Sequence, residues 1–228
     1  GAQNELARFF LGMDKTGQHI QPEGIVNINA GMIMLTCFLF AGLSARMRAT
    51  DSLLAGTLLI VSALTLFGLT RQVGWAVLAM VIFSVGEMLA SPKYSEFLGN
   101  VAPPDKKAMW IGFSQAPILV GWTIEGKLGP HLYHVFSDKD QLARRTLVEE
   151  LGWSWDAVSE QALPVGEAFR KLMEVTGQTP EALTRELYEA YHVGLTWFVF
   201  AGIGVLSAVM IYLYGRWIRQ LAQRPLQP

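Results

Sequence analysis

Charge is scarce in this sequence. Only 16% of its 228 residues are Asp, Glu, Lys or Arg, against roughly 25% in soluble domains. The formal net charge is -1, so composition offers no basic footprint for a nucleic-acid partner. Cysteine is almost missing. The one residue, Cys37, excludes a disulfide within the chain, a CxxC redox pair and a cysteine zinc site. There is no GxSxG, no HExxH and no phosphate-binding glycine loop. No cofactor and no metal is therefore expected. No signal-peptide pattern follows Gly1. The opening GAQNELARFFLGMDKTGQ reads as the end of something, and the expectation is a piece of a longer protein.

Hydrophobic residues, by contrast, make up 51% of the chain, and they are gathered in runs. Crossing about 30 Å of hydrocarbon takes around 20 apolar residues in a helix. Residues 24–45, 52–70, 73–98 and 108–136 form four such runs, and 191–217 forms a fifth. Residues 1–20 read as the end of a truncated transmembrane helix. Unpaired backbone groups are not tolerated in lipid, so helices are the form expected of every run. The fold class expected is all-α, a polytopic membrane bundle with a helical extramembrane insertion at 137–190 and a tail at 218–228.

The insertion carries more acids than bases and reads as short helices over a solvated cap. Ser137 is expected to cap DKDQLARRTLVEEL. VGEAFRKLMEVTG is expected to end at Gly177. Thr179-Pro180 pairs a capping residue with proline at the first helical position, opening EALTRELYEAY. That last helix is in position to continue into the fifth span.

Basic residues in short loops set orientation. Arg46 and Arg48, Lys106 and Lys107, and Arg216, Arg219 and Arg224 fall on one side if five spans alternate. The expectation is a cytoplasmic C-terminus, an external insertion, and an integral protein of the bacterial inner membrane.

One residue breaks the apolar pattern. Gln72 to Val85 is without charge, and then Glu87 appears inside the third run. It lies 13 residues past Gly74, roughly 20 Å along a helix and near mid-membrane. A charge there costs on the order of 2.5–3.5 kcal/mol, so the residue should face a cavity, a partner or a proton. A carboxyl group in a dry site favours its protonated form and can carry a proton through a cycle. An ionised one can hold a cationic substrate group. The structural alternative is a hydrogen bond that ties Glu87 to a neighbouring helix.

The surroundings add candidates. Pro92 should kink the third span, with Ser91 and Tyr94 offering hydroxyls to the freed carbonyls. Pro117 and Gly121 make the fourth span bendable, and Gln115 and Trp122 could line a cavity there. Glu125 lies nearer the outer end and is either interfacial or part of the pathway. Asn27 and Asn29 in the first span need partners, as cavity residues or as helix-packing hydrogen bonds. The second span, and the fifth as far as Gly215, carry no charged residue and are expected at the lipid-facing periphery.

These motifs resemble the C-terminal half of a major facilitator superfamily transporter, in particular the proton-dependent oligopeptide transporter branch. The residues that carry the resemblance are Gly86-Glu87, Ser91-Pro92 and Ala102-Pro103 in GEMLASPKYSEFLGNVAP, which is similar to the tenth helix of that branch. IGFSQAPILVGWTIEGKLG looks like the eleventh, FFLGMDKTGQ like part of the seventh, and IVNINAGMI like the start of the eighth. Where the eighth helix usually reads Asn-Pro, this chain has Asn29-Ala30. The resemblance implies alternating access by a proton-coupled carrier of a small solute, with di- and tripeptides as the family's cargo. It implies that Glu87 takes the peptide amino terminus. The partners it implies are protons, a small-molecule or peptide substrate, the lipid bilayer and a missing N-terminal six-helix half.

Other classes fit fewer of these features. DKTGQ, residues 14–18, is similar to the phosphorylated-aspartate motif of ion-pumping ATPases, but a membrane run begins within ten residues. A membrane-embedded enzyme would need a constellation. His131 and His134 stand at helical i, i+3 spacing, and no third ligand follows at an obvious interval. A non-transporting receptor or scaffold is the remaining alternative.

Overall fold

Residues 22–222 are described by the structure, a computed structural model. The half-span expected at 1–20, the DKTGQ motif, and Arg224 in the tail lie outside the described residues. Among the described residues every regular element is helical. In chain order these are α1 (Pro22–Ala45), α2 (Ala49–Leu69), α3 (Val73–Val101), a single 3-10 turn (Pro104–Lys106), α4 (Lys107–Phe113) and α5 (Gln115–Phe136). They continue with α6 (Lys139–Glu149), α7 (Glu167–Thr176), α8 (Pro180–Ala190) and α9 (Leu195–Ala222).

Four of these helices are long and apolar enough to cross a membrane: Val26–Ala45, Ala49–Leu69, Val73–Val101 and Leu195–Leu221. The chain is thus built as an integral membrane protein. The run at 108–136, expected as the fourth span, is instead two helices broken at Ser114. Pro117 explains the break. It has no N–H for the carbonyl of Phe113, and its ring crowds that carbonyl. Pro117 therefore sits in the first turn of α5, where proline is tolerated, rather than bending the middle of one long rod. Pro92 behaves differently, since α3 stays helical through it to Val101.

The chain divides into two compact units, residues 1–116 with 197–228, and residues 117–196. Within the first unit, α2 and α3 cross with their backbones touching. A Cβ placed on Gly56 would stand 2.5 Å from the carbonyl oxygen of Gly86, and one on Gly86 would stand 2.7 Å from that of Gly56. Only glycine permits such an approach, and small residues are what draw helices together in lipid. One turn away Ser52 donates a buried hydrogen bond of 2.8 Å to the carbonyl of Leu89. This corrects the expectation that the second span is only a lipid-facing helix. α9 runs antiparallel along α2: Phe67 stacks on Trp197 at 4.8 Å, Gly204 lies against Val61, and Arg219 pairs with Asp51 at 3.0 Å.

The second unit holds the insertion. Its core is Leu142, Leu147, Val158, Leu172, Leu183 and Leu187. The cap of α6 is Asp138, whose carboxylate accepts from the N–H of Asp140 at 3.0 Å. The expected cap, Ser137, still belongs to the end of α5, because its N–H bonds back to Tyr133. α7 ends at Gly177, whose φ of 68° is the left-handed conformation glycine supplies without strain. Thr179 Oγ1 accepts from the N–H of Ala182, with Pro180 next in sequence, as the sequence predicts. The last helix does not continue into α9. It stops at Tyr191, and His192 takes a φ of 48°.

A buried ion pair knits this unit. Arg144, only 3% exposed, places Nη2 2.7 Å and Nε 3.1 Å from Asp140 Oδ2. It also donates to the carbonyls of Val158 and Leu163. Asp140 Oδ1 accepts from the backbone N–H of Phe169 at 3.1 Å. It thus caps α7, whose own N-cap residue, Gly166, has no side chain to do so.

Candidate functional site

Glu87 is the central residue of the 29-residue helix α3. Its neighbours Ser84, Gly86, Met88 and Leu89 are buried, while Glu87 itself is partly accessible. Three side chains meet there. Asn29, from α1, donates from Nδ2 to Glu87 Oε2 at 3.2 Å. Ser84, one turn before Glu87 on α3, donates to Asn29 Oδ1 at 2.6 Å. Ser84 Oγ is also 2.8 Å from the carbonyl of Met80. Nearby, Thr36 Oγ1 stands 3.3 Å from Met88 Sδ, a second polar link between α1 and α3.

Among the described residues no cation pairs with Glu87. Lys93, the nearest basic residue along α3, is buried and held by Glu96 at 2.6 Å. Among the described residues the carboxylate therefore meets a neutral amide, in an apolar span.

The other expected residues distribute more widely. Asn27 is exposed, pointing away from the Asn29 face. Tyr94 does not serve a carbonyl freed by Pro92; its hydroxyl donates to the Ser114 carbonyl at 3.0 Å, at the break between α4 and α5. Gln115 donates to Ser114 Oγ at 3.3 Å, so Tyr94 and Gln115 converge on Ser114. Ser91 and Pro92 are exposed. Pro117, Gly121, Trp122 and Glu125 belong to the second unit and are exposed there. Glu125 lies forward along its own helix over Gly129, where a Cβ would stand 2.7 Å from Oε1.

Sequence reasoning missed Ser84. Its signal was present, since Ser84 and Glu87 are three residues apart and share a helical face. It missed Gly56 and Ser52 too, whose four-residue spacing is that of small residues at a helix crossing. Of the paired histidines, His131 is exposed and His134 Nδ1 lies 3.4 Å from Asp138 Oδ2. Among the described residues no group of three or more His, Cys, Asp and Glu side chains gathers closely enough to hold a metal ion. Comparison with protein families, with curated proteins and with solved structures finds no match for this chain.

Proposed function

We propose that this chain is part of a secondary active transporter that couples proton movement to that of a small solute by alternating access. One observation carries the reading: a partly accessible carboxylate at the centre of a membrane-spanning helix, bonded by an amide that a hydroxyl backs, with no base paired to it among the described residues. A carboxylate kept only as a structural link would be cheaper as a neutral amide. One that must exchange a proton or an amine has to stay ionisable. The resemblance to the C-terminal half of the proton-dependent oligopeptide carriers makes di- and tripeptides the first substrates to test. In this reading Glu87 and Asn29 receive the solute, and a six-helix partner half completes the cavity. No enzymatic step is assigned. The C-terminus is taken as cytoplasmic, the insertion as external, and the membrane as the bacterial inner membrane.

The hydrogen bonds at Glu87 also fit a second reading, a non-transporting membrane protein in which they only hold α1 against α3. Uptake separates the two. The whole protein in proteoliposomes, under an inward proton gradient, should accumulate labelled di- and tripeptides, and Glu87→Gln should abolish it while the protein stays folded. Uptake unchanged by that substitution would leave Glu87 as a structural link and sink the proposed site.

A further inference from the structure

The hydroxyl of Ser84 has one proton and two acceptors within reach, Asn29 Oδ1 at 2.6 Å and the Met80 carbonyl at 2.8 Å. It can give that proton fully to only one of them. On the other side of Asn29, the amide nitrogen meets Glu87 Oε2 at 3.2 Å. The oxygen and nitrogen of a carboxamide are nearly equal in size and differ in hydrogen-bonding sense. Turning the Asn29 amide end for end keeps both of its contacts and reverses their polarity, while the Met80 carbonyl remains an acceptor.

Each polarity suits one protonation state of Glu87. When ionised, the carboxylate only accepts, so it requires the N–H of Asn29. The Asn29 oxygen then faces Ser84 and draws the hydroxyl proton from Met80. When protonated, Glu87 has an O–H to donate and requires the Asn29 oxygen. The amide nitrogen then faces Ser84 Oγ, which accepts, and the hydroxyl proton turns to the Met80 carbonyl.

We propose that Ser84 is a positioning residue that forms, with Asn29, a two-state hydrogen-bond relay whose polarity reverses when a proton binds Glu87. The inference rests on the transporter reading and gives its proton site a mechanism. One proton arrives on a carboxylate oxygen of Glu87 and later leaves it; no other proton changes its heavy atom. In both states the charge or the proton on Glu87 is matched, so neither is left as an unsatisfied group within the span.

Among the described residues, the surroundings add little fixed charge that would hold Glu87 in one state. From Val26 to Ala45, α1 has no ionisable side chain but Cys37, and from Ser52 to Leu69, α2 has none. α4 brings only Lys107, its first residue. α9, whose Tyr214 meets Phe97, carries Arg216 and Arg219, the latter held by Asp51. On α3 itself Lys93 and Glu96 pair with one another, and Lys93 is six residues from Glu87, about 9 Å along the axis. Tyr94 is bound to Ser114.

Infrared difference spectra between acid and neutral pH test this on the whole protein in lipid vesicles. Asparagine labelled with nitrogen-15 in its side chain identifies the amide bands. The wild type should gain a carboxylic-acid band that Glu87→Gln lacks, accompanied by a shift of an asparagine amide band. That amide shift should vanish in Asn29→Leu and in Ser84→Ala, and persist in Ser84→Thr, which keeps the hydroxyl. A Glu87 acid band with no asparagine shift, or a full shift in Ser84→Ala, overturns the relay and leaves the transporter reading standing. No Glu87-dependent acid band at any pH the protein withstands overturns both the relay and the proton role of Glu87.

Discussion

Replacing Arg144 with Met should loosen the second unit while leaving the spanning helices in place. The guanidinium is buried and holds four acceptor groups at once: the Asp140 carboxylate and the carbonyls of Val158, Leu163 and Pro164. Methionine fills much of the volume and satisfies none of them. Removing one member of a buried ion pair costs about 3–5 kcal/mol, because the remaining charge is left without a partner. Each carbonyl deprived of its donor adds about 1–3 kcal/mol unless water reaches it. Water does reach the loop once it opens, so the pair sets the scale, and about 3–5 kcal/mol corresponds to roughly two to four powers of ten in the opening equilibrium. The opening should include residues 151–166, which Arg144 ties to α6. It should include the start of α7 as well, because Asp140, freed of its partner, no longer holds its Oδ1 against the N–H of Phe169. Hydrogen–deuterium exchange read by mass spectrometry on the whole protein should show protection lost across 139–176 and retained in α2 and α3. Arg144→Lys should fail nearly as badly, since an ammonium on a flexible stem cannot reproduce the planar fork. Unchanged exchange across 139–176 in Arg144→Met would refute the argument that this pair fastens the loop.

Gly56→Ala should destabilise the bundle by about 1–3 kcal/mol, the scale of overpacking a tight contact, since the new Cβ meets the Gly86 carbonyl; thermal unfolding in detergent measures it, and an unchanged midpoint would mean the helices do not cross there. Thr179→Ala removes the oxygen that accepts from Ala182 and should cost about 0.5–2 kcal/mol, seen as faster exchange at the start of α8 alone. Burial pushes the phenols of Tyr188 and Tyr191 above the ordinary value of 10.0. At Tyr191 the hydrogen bond with Thr146 opposes this, and Glu149 and Glu150 reinforce it. The folded state therefore holds these protons more tightly than the unfolded chain. Their contribution is fully present below about pH 10 and is lost as pH rises through the higher folded values. An alkaline titration followed by tyrosinate absorbance should show the loss, and Tyr191→Phe should remove the Tyr191 share of it.

The spanning helices were legible because length and apolarity are properties of a run. The caps at Thr179 and Gly177 were legible because capping is settled within a few residues. The cap at Asp138 was misjudged by one position, since Ser137 is claimed by the preceding helix through its N–H to Tyr133. The break at Ser114 is also local, but a proline inside a long apolar run fits a hinge in one rod as well as the first turn of a new helix. What the sequence hid was tertiary. Asn27 and Asn29 are two residues apart and point to different faces; only the packing of α1 on α3 selects Asn29 for Glu87. Ionisable residues served as the marker of the bundle interior, which hid α2, whose Ser52, Gly56 and Ala63 are buried against neighbours without any charge. Asp140 and Arg144 stand at i, i+4, a spacing more often seen on solvated faces, and nothing local announces their burial.

Internal pH tests the central claim most directly, because it reports the proton itself. The whole protein is reconstituted in liposomes that hold a pH-sensitive dye, and a mixture of di- and tripeptides is added outside. A proton-coupled carrier with Glu87 in its pathway predicts that peptide addition acidifies the interior and that Glu87→Gln abolishes the response. Acidification that persists undiminished in a folded Glu87→Gln variant would contradict the account at its centre.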